Sequence, residues 1–392
     1  MVGPLSRAAA APFQLVQYRR DWEAISVRLR DSLRKGRPLL AVDMESNGFF
    51  HYPERVCLIQ LCTETETVIL DPFGVEDLAP LGDIFADGKI EKVFHACDYD
   101  LRSFDRDYGF RFRNLFDTYV AAQLLAPETP GLAGALGKYL DVVMEKSAKL
   151  QRSDWSRRPL APNALEYAAL DVTHLAALRD AMTRGLEEKG RLGWAEEEFS
   201  VLEGIRFDPP PPPEEACFSA KGTFDLSPEE LAVFRELYLV REAEARRIDR
   251  PPFKVAGNDF LLEVSRNPRR PLREFGGVNR GWLERSERAL RDAIERGRRA
   301  GPVTHPSRMK RSPNPWRDDS SARWRRLKEA RQRKAAELNI APSTLWPAAC
   351  IDRLALDPSI AERELAGQNE FGVRNWQREV LGPELRKVLD SI

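Results

Sequence analysis

Long apolar runs are missing from this 392-residue chain. None approaches the roughly 20 residues that span a bilayer, so no membrane partner is expected. Met1 to Pro12 has an alanine run but little positive charge, and its apolar core is too short for a signal peptide. It is expected to be a disordered lead-in. Cysteine is sparse: Cys57, Cys62, Cys97, Cys217 and Cys350 are odd in number, and no two form a C-x-x-C pair. That argues against a zinc site or disulfide framework and for a reducing, cytoplasmic setting. The four histidines are dispersed. Net charge is absent too, with 61 Lys and Arg against 61 Asp and Glu. Any nucleic-acid-binding surface must therefore be local.

What is present is a chain of globular composition, 42% apolar and 31% charged, long enough for two or three domains. Trp22 to Lys35 has helical periodicity. Leu39 to Asp43, Val56 to Cys62, Thr67 to Leu70 and Lys92 to Ala96 read as strands, and helices are expected from about Asp98 and from Thr118 to Leu125. This interleaving predicts an α/β layered fold. Five consecutive prolines, Pro209 to Pro213, then predict an extended polyproline II separator. Helical patterning follows. Ser227-Pro228-Glu229-Glu230 reads as a helix start with serine as N-cap, proline at N1 and glutamate at N3. A second interruption, Gly301 to Pro315, precedes another helical block. The two blocks look like diverged copies offset by roughly 90 residues. Each has a long charged helix, a proline turn (Pro251-Pro252; Pro342) and a short apolar helix (Phe260 to Val264; Cys350 to Leu356). Each then has an expected helix start (Asn267-Pro268; Asp357-Pro358) and a Trp-containing helix (Trp282; Trp376).

Four acids and a tyrosine in the first half stand out. Asp43 and Glu45 flank Met44 at the end of an apolar strand, so both carboxylates face one way. Tyr167 and Asp171, four apart, share a helix face. Asp100 follows a neighbouring strand and can close the ring. Clustered carboxylates repel one another, and cations that neutralise them are the usual reason for such a cluster. Hard oxygen ligands suit Mg²⁺ or Mn²⁺, and the lack of a Cys/His cluster argues against zinc.

These segments resemble the motifs of the DEDDy branch of the DEDD 3′→5′ exonucleases. The D-x-E motif is matched by Asp43 and Glu45, the final Asp of the second motif by Asp100, and Y-x-x-x-D by Tyr167 and Asp171. Further resemblance lies in Cys57 to Leu61, in Leu70-Asp71-Pro72, and in Ser153-Asp154-Trp155 leading to Arg158-Pro159-Leu160. The whole chain resembles the bacterial ribonuclease D family, and both helical blocks look like HRDC domains. The resemblance implies an RNase H-like exonuclease domain with a mixed five-stranded sheet over residues 13–205. A proline-rich linker (206–224), a first HRDC domain (225–303), a second linker (304–318) and an HRDC-like all-α domain (319–392) would follow. It also implies two divalent ions, about 4 Å apart, clamping the scissile phosphate. Asp43 would bridge them, Glu45 and Asp171 would complete the water-activating site, Asp100 would act through water, and Tyr167 would orient the attacking water. The implied reaction is 3′→5′ exoribonuclease hydrolysis of single-stranded RNA ends, tRNA precursors among them, releasing 5′ mononucleotides, with a monomer expected. The alternatives are a 3′→5′ DNA exonuclease and a non-catalytic nucleic-acid-binding adaptor, which would have no need of a repulsive carboxylate cluster.

Secondary candidates each have a structural reading beside the functional one. His95 adjoins the active-site strand. Asp98 and Asp117 are explained at least as well by helix capping. Arg157 and Arg158, with Lys146 and Lys149, could contact phosphates or line a solvated loop, while Trp155 and Tyr52 could stack on bases or pack. Between Ser307 and Lys334, eleven Lys and Arg stand against three acids, with Trp316 and Trp324 interleaved. Arg323, Arg325 and Arg326 are its candidate RNA contacts, a solvated helix face the competing account.

Overall fold

A computed structural model describes residues 6–75, 77–128, 131–145, 147–306, 318–366 and 372–391. The chain forms two compact units. One gathers Met1–Glu45, Val56–Phe207 and Asn314–Ile392; the other gathers Ser46–Arg55 and Asp208–Pro313.

The first unit carries eight strands among its described residues: β1 (Ser6–Arg7), β2 (Phe13–Val16), β3 (Leu39–Ser46), β4 (Val56–Cys62), β5 (Thr67–Leu70), β6 (Glu91–Phe94), β7 (Leu115–Asp117) and β8 (Val142–Val143). Its nuclease helices are α1 (Arg19–Lys35), α2 (Ala79–Ala86), α3 (Asp98–Tyr108), α4 (Thr118–Leu125), α5 (Leu132–Leu140), α6 (Ala148–Gln151), α7 (Pro162–Thr173), α8 (Leu175–Glu188) and α9 (Leu192–Leu202). The main sheet runs β2-β5-β4-β3-β6-β7. It is mixed: β2 pairs parallel with β5, β5 antiparallel with β4, and β3, β6 and β7 parallel in turn.

The sheet has six strands rather than the five expected. Four of them answer to the strands read from the sequence, and the two not read there are the four-residue edge strand β2 and the three-residue β7. The lead-in is also more ordered than expected. Ser6 and Arg7 pair with Val142 and Val143, and the Ala8 N–H donates to the Val143 carbonyl at 2.8 Å.

β3 is buried on both faces along its first half, hence its near-continuous apolar run. Leu39 and Ala41 join a core with α4, α5, α8 and α9, while Leu40, Val42 and Met44 join a second core with α1, α2 and α3. The period-2 alternation then carries Asp43 and Glu45 out on the Leu39–Ala41 face.

In the second unit the helices are α10 (Pro213–Ala216), α11 (Pro228–Arg247), α12 (Pro252–Val255), α13 (Asn258–Arg266) and α14 (Arg280–Arg299). α11 opens on the expected capping box, with Ser227 and Glu230 each satisfying the other's backbone N–H. The expected 206–224 linker is structured from Pro213 on, because Cys217 and Phe218 are apolar enough to bury in this unit's core. Asn267-Pro268 opens a turn, not a helix.

The last block belongs to the first unit and comprises α15 (Asp318–Leu338), α16 (Pro342–Leu345), α17 (Ala348–Leu356), α18 (Ala361–Leu365) and α19 (Asn375–Asp390). α16 and α17 each begin 90 residues after their counterparts α12 and α13, at Pro342 against Pro252 and Ala348 against Asn258. This block shares a hydrophobic core with the nuclease. Trp194 of α9 and Trp376 of α19 stack at 4.6 Å with planes 14° apart. Glu197 accepts the Asn375 and Trp376 N–H groups at the start of α19, and Glu198 accepts from the Trp376 indole at 2.9 Å and Arg374 at 3.0 Å. Arg191 bridges the Leu124 and Leu338 carbonyls, each at 2.6 Å.

Candidate active site

Three elements deliver the acids. Asp43 and Glu45 leave β3, Asp100 sits in the first turn of α3, and Tyr167 and Asp171 lie one turn apart on α7. α7 packs over β4 and β5 through Ala164, Tyr167, Ala168 and Ala169 against Cys57, Leu58 and Ile69. Its small alanines let the helix approach the sheet closely.

These side chains act on one another electrostatically. Burial pushes the Glu45 carboxyl well above the ordinary value, and the charges of Asp43, Asp171 and Asp100 push it further. Asp100 is also raised well above its usual range, first by burial, then by Asp43. Burial raises the Tyr167 phenol strongly. The charges of Asp171, Glu45 and Asp43 add to this, as does its hydrogen bond to Asp171. Every charge that shifts Glu45 is another carboxylate. Asp43, Asp100 and Asp171 thus all bear on Glu45, and an all-oxygen donor set of this kind suits a hard divalent cation. Among the described residues no group of three or more Asp, Glu, His or Cys side chains is arranged so that it could hold a metal ion.

The loop before Asp100 is shaped by Asp117. Its carboxylate caps α4 by accepting from Tyr119 and Val120 N–H, and it also accepts from Ala96 and Cys97 N–H at 3.0 and 2.8 Å. Ala96 takes a positive φ of 64° in that turn. Asp117 thus sets the start of both α3 and α4. Asp98 is exposed and pairs with Arg102 one turn on.

The family comparisons follow from this geometry. A 3′-5′ exonuclease family model matches residues 23–187, which include all five site residues, and an HRDC domain model matches residues 230–285. A ribonuclease D of Gluconacetobacter diazotrophicus is 30% identical over 400 residues, covering 99% of this chain and 96% of the relative. This chain belongs to the ribonuclease D family. Among solved structures, the catalytic core of RRP6 from Trypanosoma brucei matches with a TM-score of 0.65 at 26% identity, covering 76% of this chain and 84% of that one. Escherichia coli RNase D, 22% identical, matches in fold with a TM-score of 0.70, covering 97% of this chain and 99% of that one.

The nucleic-acid contacts expected of this ribonuclease D family member fare unevenly. His95 is half-buried, its Nδ1 2.9 Å from the Thr118 hydroxyl. Thr118 donates its own hydrogen to the Phe94 carbonyl, so His95 Nδ1 carries the donated proton. Arg157 is exposed. Arg158 is engaged within the fold: Asp71 and backbone carbonyls accept from its N–H groups. Trp155 is buried and packs, and Tyr52 donates to Glu242 at 2.9 Å inside the second unit. On α15, Arg323 donates to the Ala355 carbonyl and Arg326 to the Ser391 hydroxyl, both at 2.8 Å, while Arg325 is exposed. Those first two arginines hold the helical block together. Lys146, Trp316 and the basic residues between 307 and 317 lie outside the described residues. What the sequence reading missed is the support: Asp71, inside a noted L-D-P segment, gave no sign of its partner 87 positions away.

Proposed function

We propose that this protein shortens RNA from its 3′ end at the Asp43–Glu45–Asp100–Asp171 site, releasing 5′ mononucleotides. It is a 3′→5′ exoribonuclease, and the ribonuclease D and RRP6 likenesses favour this over a DNA exonuclease or an adaptor. The observation that carries the proposal is the placing of Asp43 and Glu45 on β3, Asp100 in the first turn of α3 and Tyr167 with Asp171 on α7, all inside the matched exonuclease region, and the charges of these acids bear on Glu45, Asp100 and Tyr167. Divalent cations, Mg²⁺ or Mn²⁺, bound there would supply Lewis-acid activation of water and charge neutralisation on the phosphate. Asp43, Glu45 and Asp171 would hold them directly, and Asp100 from the outer side. A phenol with its ordinary pKa near 10 already keeps its proton at neutral pH, and the upward shift of Tyr167 acts in the same direction. Tyr167 therefore acts by hydrogen bond, orienting the nucleophilic water, with Asp171 fixing its hydroxyl. The substrates proposed are single-stranded 3′ ends, tRNA precursors included, met as a monomer in a reducing cytoplasm.

The test offers matched labelled single-stranded RNA and DNA, with and without EDTA. Chelator-sensitive release of mononucleotides from RNA is expected, and Asp43→Ala should abolish it while the circular-dichroism spectrum stays intact. Full chain shortening by Asp43→Ala would refute the assignment.

A further inference from the structure

Arg158 entered as a candidate phosphate ligand, and its surroundings assign it differently. A guanidinium has five N–H donors in a fixed fork, and here all five are spoken for. Nε and one Nη2 hydrogen reach the two Asp71 carboxylate oxygens, the second at 2.8 Å. The other Nη2 hydrogen goes to the Cys57 carbonyl at 2.8 Å. Nη1 donates to the Trp155 carbonyl at 2.6 Å and the Arg157 carbonyl at 2.9 Å. The Phe73 ring lies over the guanidinium, 5.0 Å from its centroid. A phosphate would find no donor left.

Asp71 is equally committed. It follows β5 and is 3% exposed. It also accepts from the Phe73 N–H at 3.1 Å and the Gln17 amide at 3.3 Å. Burial alone would raise its pKa, but the hydrogen bonds and charge of Arg158 outweigh that and hold it below the ordinary value.

The clasp joins β4 at Cys57, the end of β5 at Asp71, and the 155–158 turn. Four residues after Arg158, Pro162 begins α7. The turn also carries Trp155, 1% exposed, whose ring lies 6.2 Å from that of Tyr167. Tyr167 in turn hydrogen-bonds Asp171. One continuous path of contacts thus leads from the clasp to the two site residues of α7.

We propose that the Asp71–Arg158 clasp is a positioning device for the reaction: it fixes the 155–158 turn so that Trp155 holds Tyr167, and with it Asp171, in register with Asp43 and Glu45. The inference rests on the exonuclease reading of that site. The informative variant is Arg158→Lys, which keeps the charge but offers three N–H groups from one atom and cannot span four residues' acceptors.

Steady-state hydrolysis of 3′-labelled single-stranded RNA in Mg²⁺ is measured for wild type, Arg158→Lys, Tyr167→Phe and the double variant. Misplacement of catalytic groups by about 1 Å can cost 10²-fold, so Arg158→Lys is expected to lower kcat about ten- to a hundredfold with KM within about twofold. In the Tyr167→Phe background the same change is expected to lower kcat by less than about threefold, because the path it acts through is already broken. If Arg158→Lys does not fold by circular dichroism, Asp71→Asn gives the same split with a smaller perturbation. A raised KM with kcat kept, and a shallower salt dependence of RNA binding, would make Arg158 a phosphate ligand and overturn the proposal alone. So would losses that simply multiply in the double variant. A wild type that releases no mononucleotide would overturn the exonuclease reading and the clasp's role with it.

Discussion

Asp100 and Glu45 are carboxyls whose acidity is suppressed on folding, and that has a stability consequence. An acid with a folded pKa above its unfolded value binds protons more tightly when folded. The folded state is then penalised at neutral pH, and the penalty lifts as pH falls through the raised pKa toward the ordinary value near 4. Asp100→Asn removes one such charge. In EDTA at pH 7.5 the variant is expected to be more stable than wild type by about 1 kcal/mol. For a unit of this size that is about 2–4 °C in Tm, and the gap should close on acidification toward pH 4. Adding Mg²⁺ should raise the wild-type Tm, and the variant's by less, since Asp100 would assist binding only from the outer side. Differential scanning fluorimetry reads all three, and a variant less stable than wild type throughout would contradict the repulsion. The acids themselves were legible in the sequence because D-x-E and Y-x-x-x-D match the periods of a strand and a helix. Arg158 was not, because a positive charge in sequence carries no record of its partner.

Among the elements, the turn between β6 and α3 depends most visibly on one side chain. Asp117 accepts four backbone N–H groups, from Ala96, Cys97, Tyr119 and Val120, and is 2% exposed. Losing a cap costs about 0.5–2 kcal/mol, and orphaned buried N–H groups add about 1–3 kcal/mol. Asp117→Ala is therefore expected to destabilise by about 2–4 kcal/mol in urea melts. It should also depress turnover, because α3 places Asp100. A loss under about 0.5 kcal/mol would show that the N–H groups find other partners. The capping role was readable from Asp117-Thr118 before a helix, but the link back to Ala96 was not, since it spans 21 residues and two elements. Long elements announced themselves: α1, α11 and the repeated helical blocks follow their 3.6-residue patterns. β2 and β7, a four-residue edge strand and a three-residue strand, were the two strands of the sheet not read from the sequence.

For the molecule as a whole, the block from α15 to α19 is built into the nuclease unit rather than appended to it. Its core is continuous with α4, α5, α8 and α9. Trp376 is 2% exposed, stacks on Trp194 and donates to Glu198. Trp376→Ala is expected to cost about 3–5 kcal/mol and to lower the melting temperature of the nuclease unit itself, as followed by hydrogen exchange at α8 and α9. Exchange at α8 and α9 unchanged from wild type would show that the block is energetically separate. The sequence showed the duplication clearly but not this attachment, because the residues that make it, Arg191, Trp194, Glu197 and Glu198, look like one ordinary amphipathic helix.

The discontinuity of that unit bears on how the protein is made. Everything from Asp208 to Pro313 leaves the ribosome between the two parts of a shared core. At synthesis rates of about 5–20 residues per second, α19 is complete about 9–38 s after α9. Until then the Trp194 face has nothing to close against. A nascent chain that stalls in the middle segment would carry Asp43, Glu45, Asp100 and Asp171 on an unfinished scaffold, so translation through α19 becomes a condition for a stable nuclease unit.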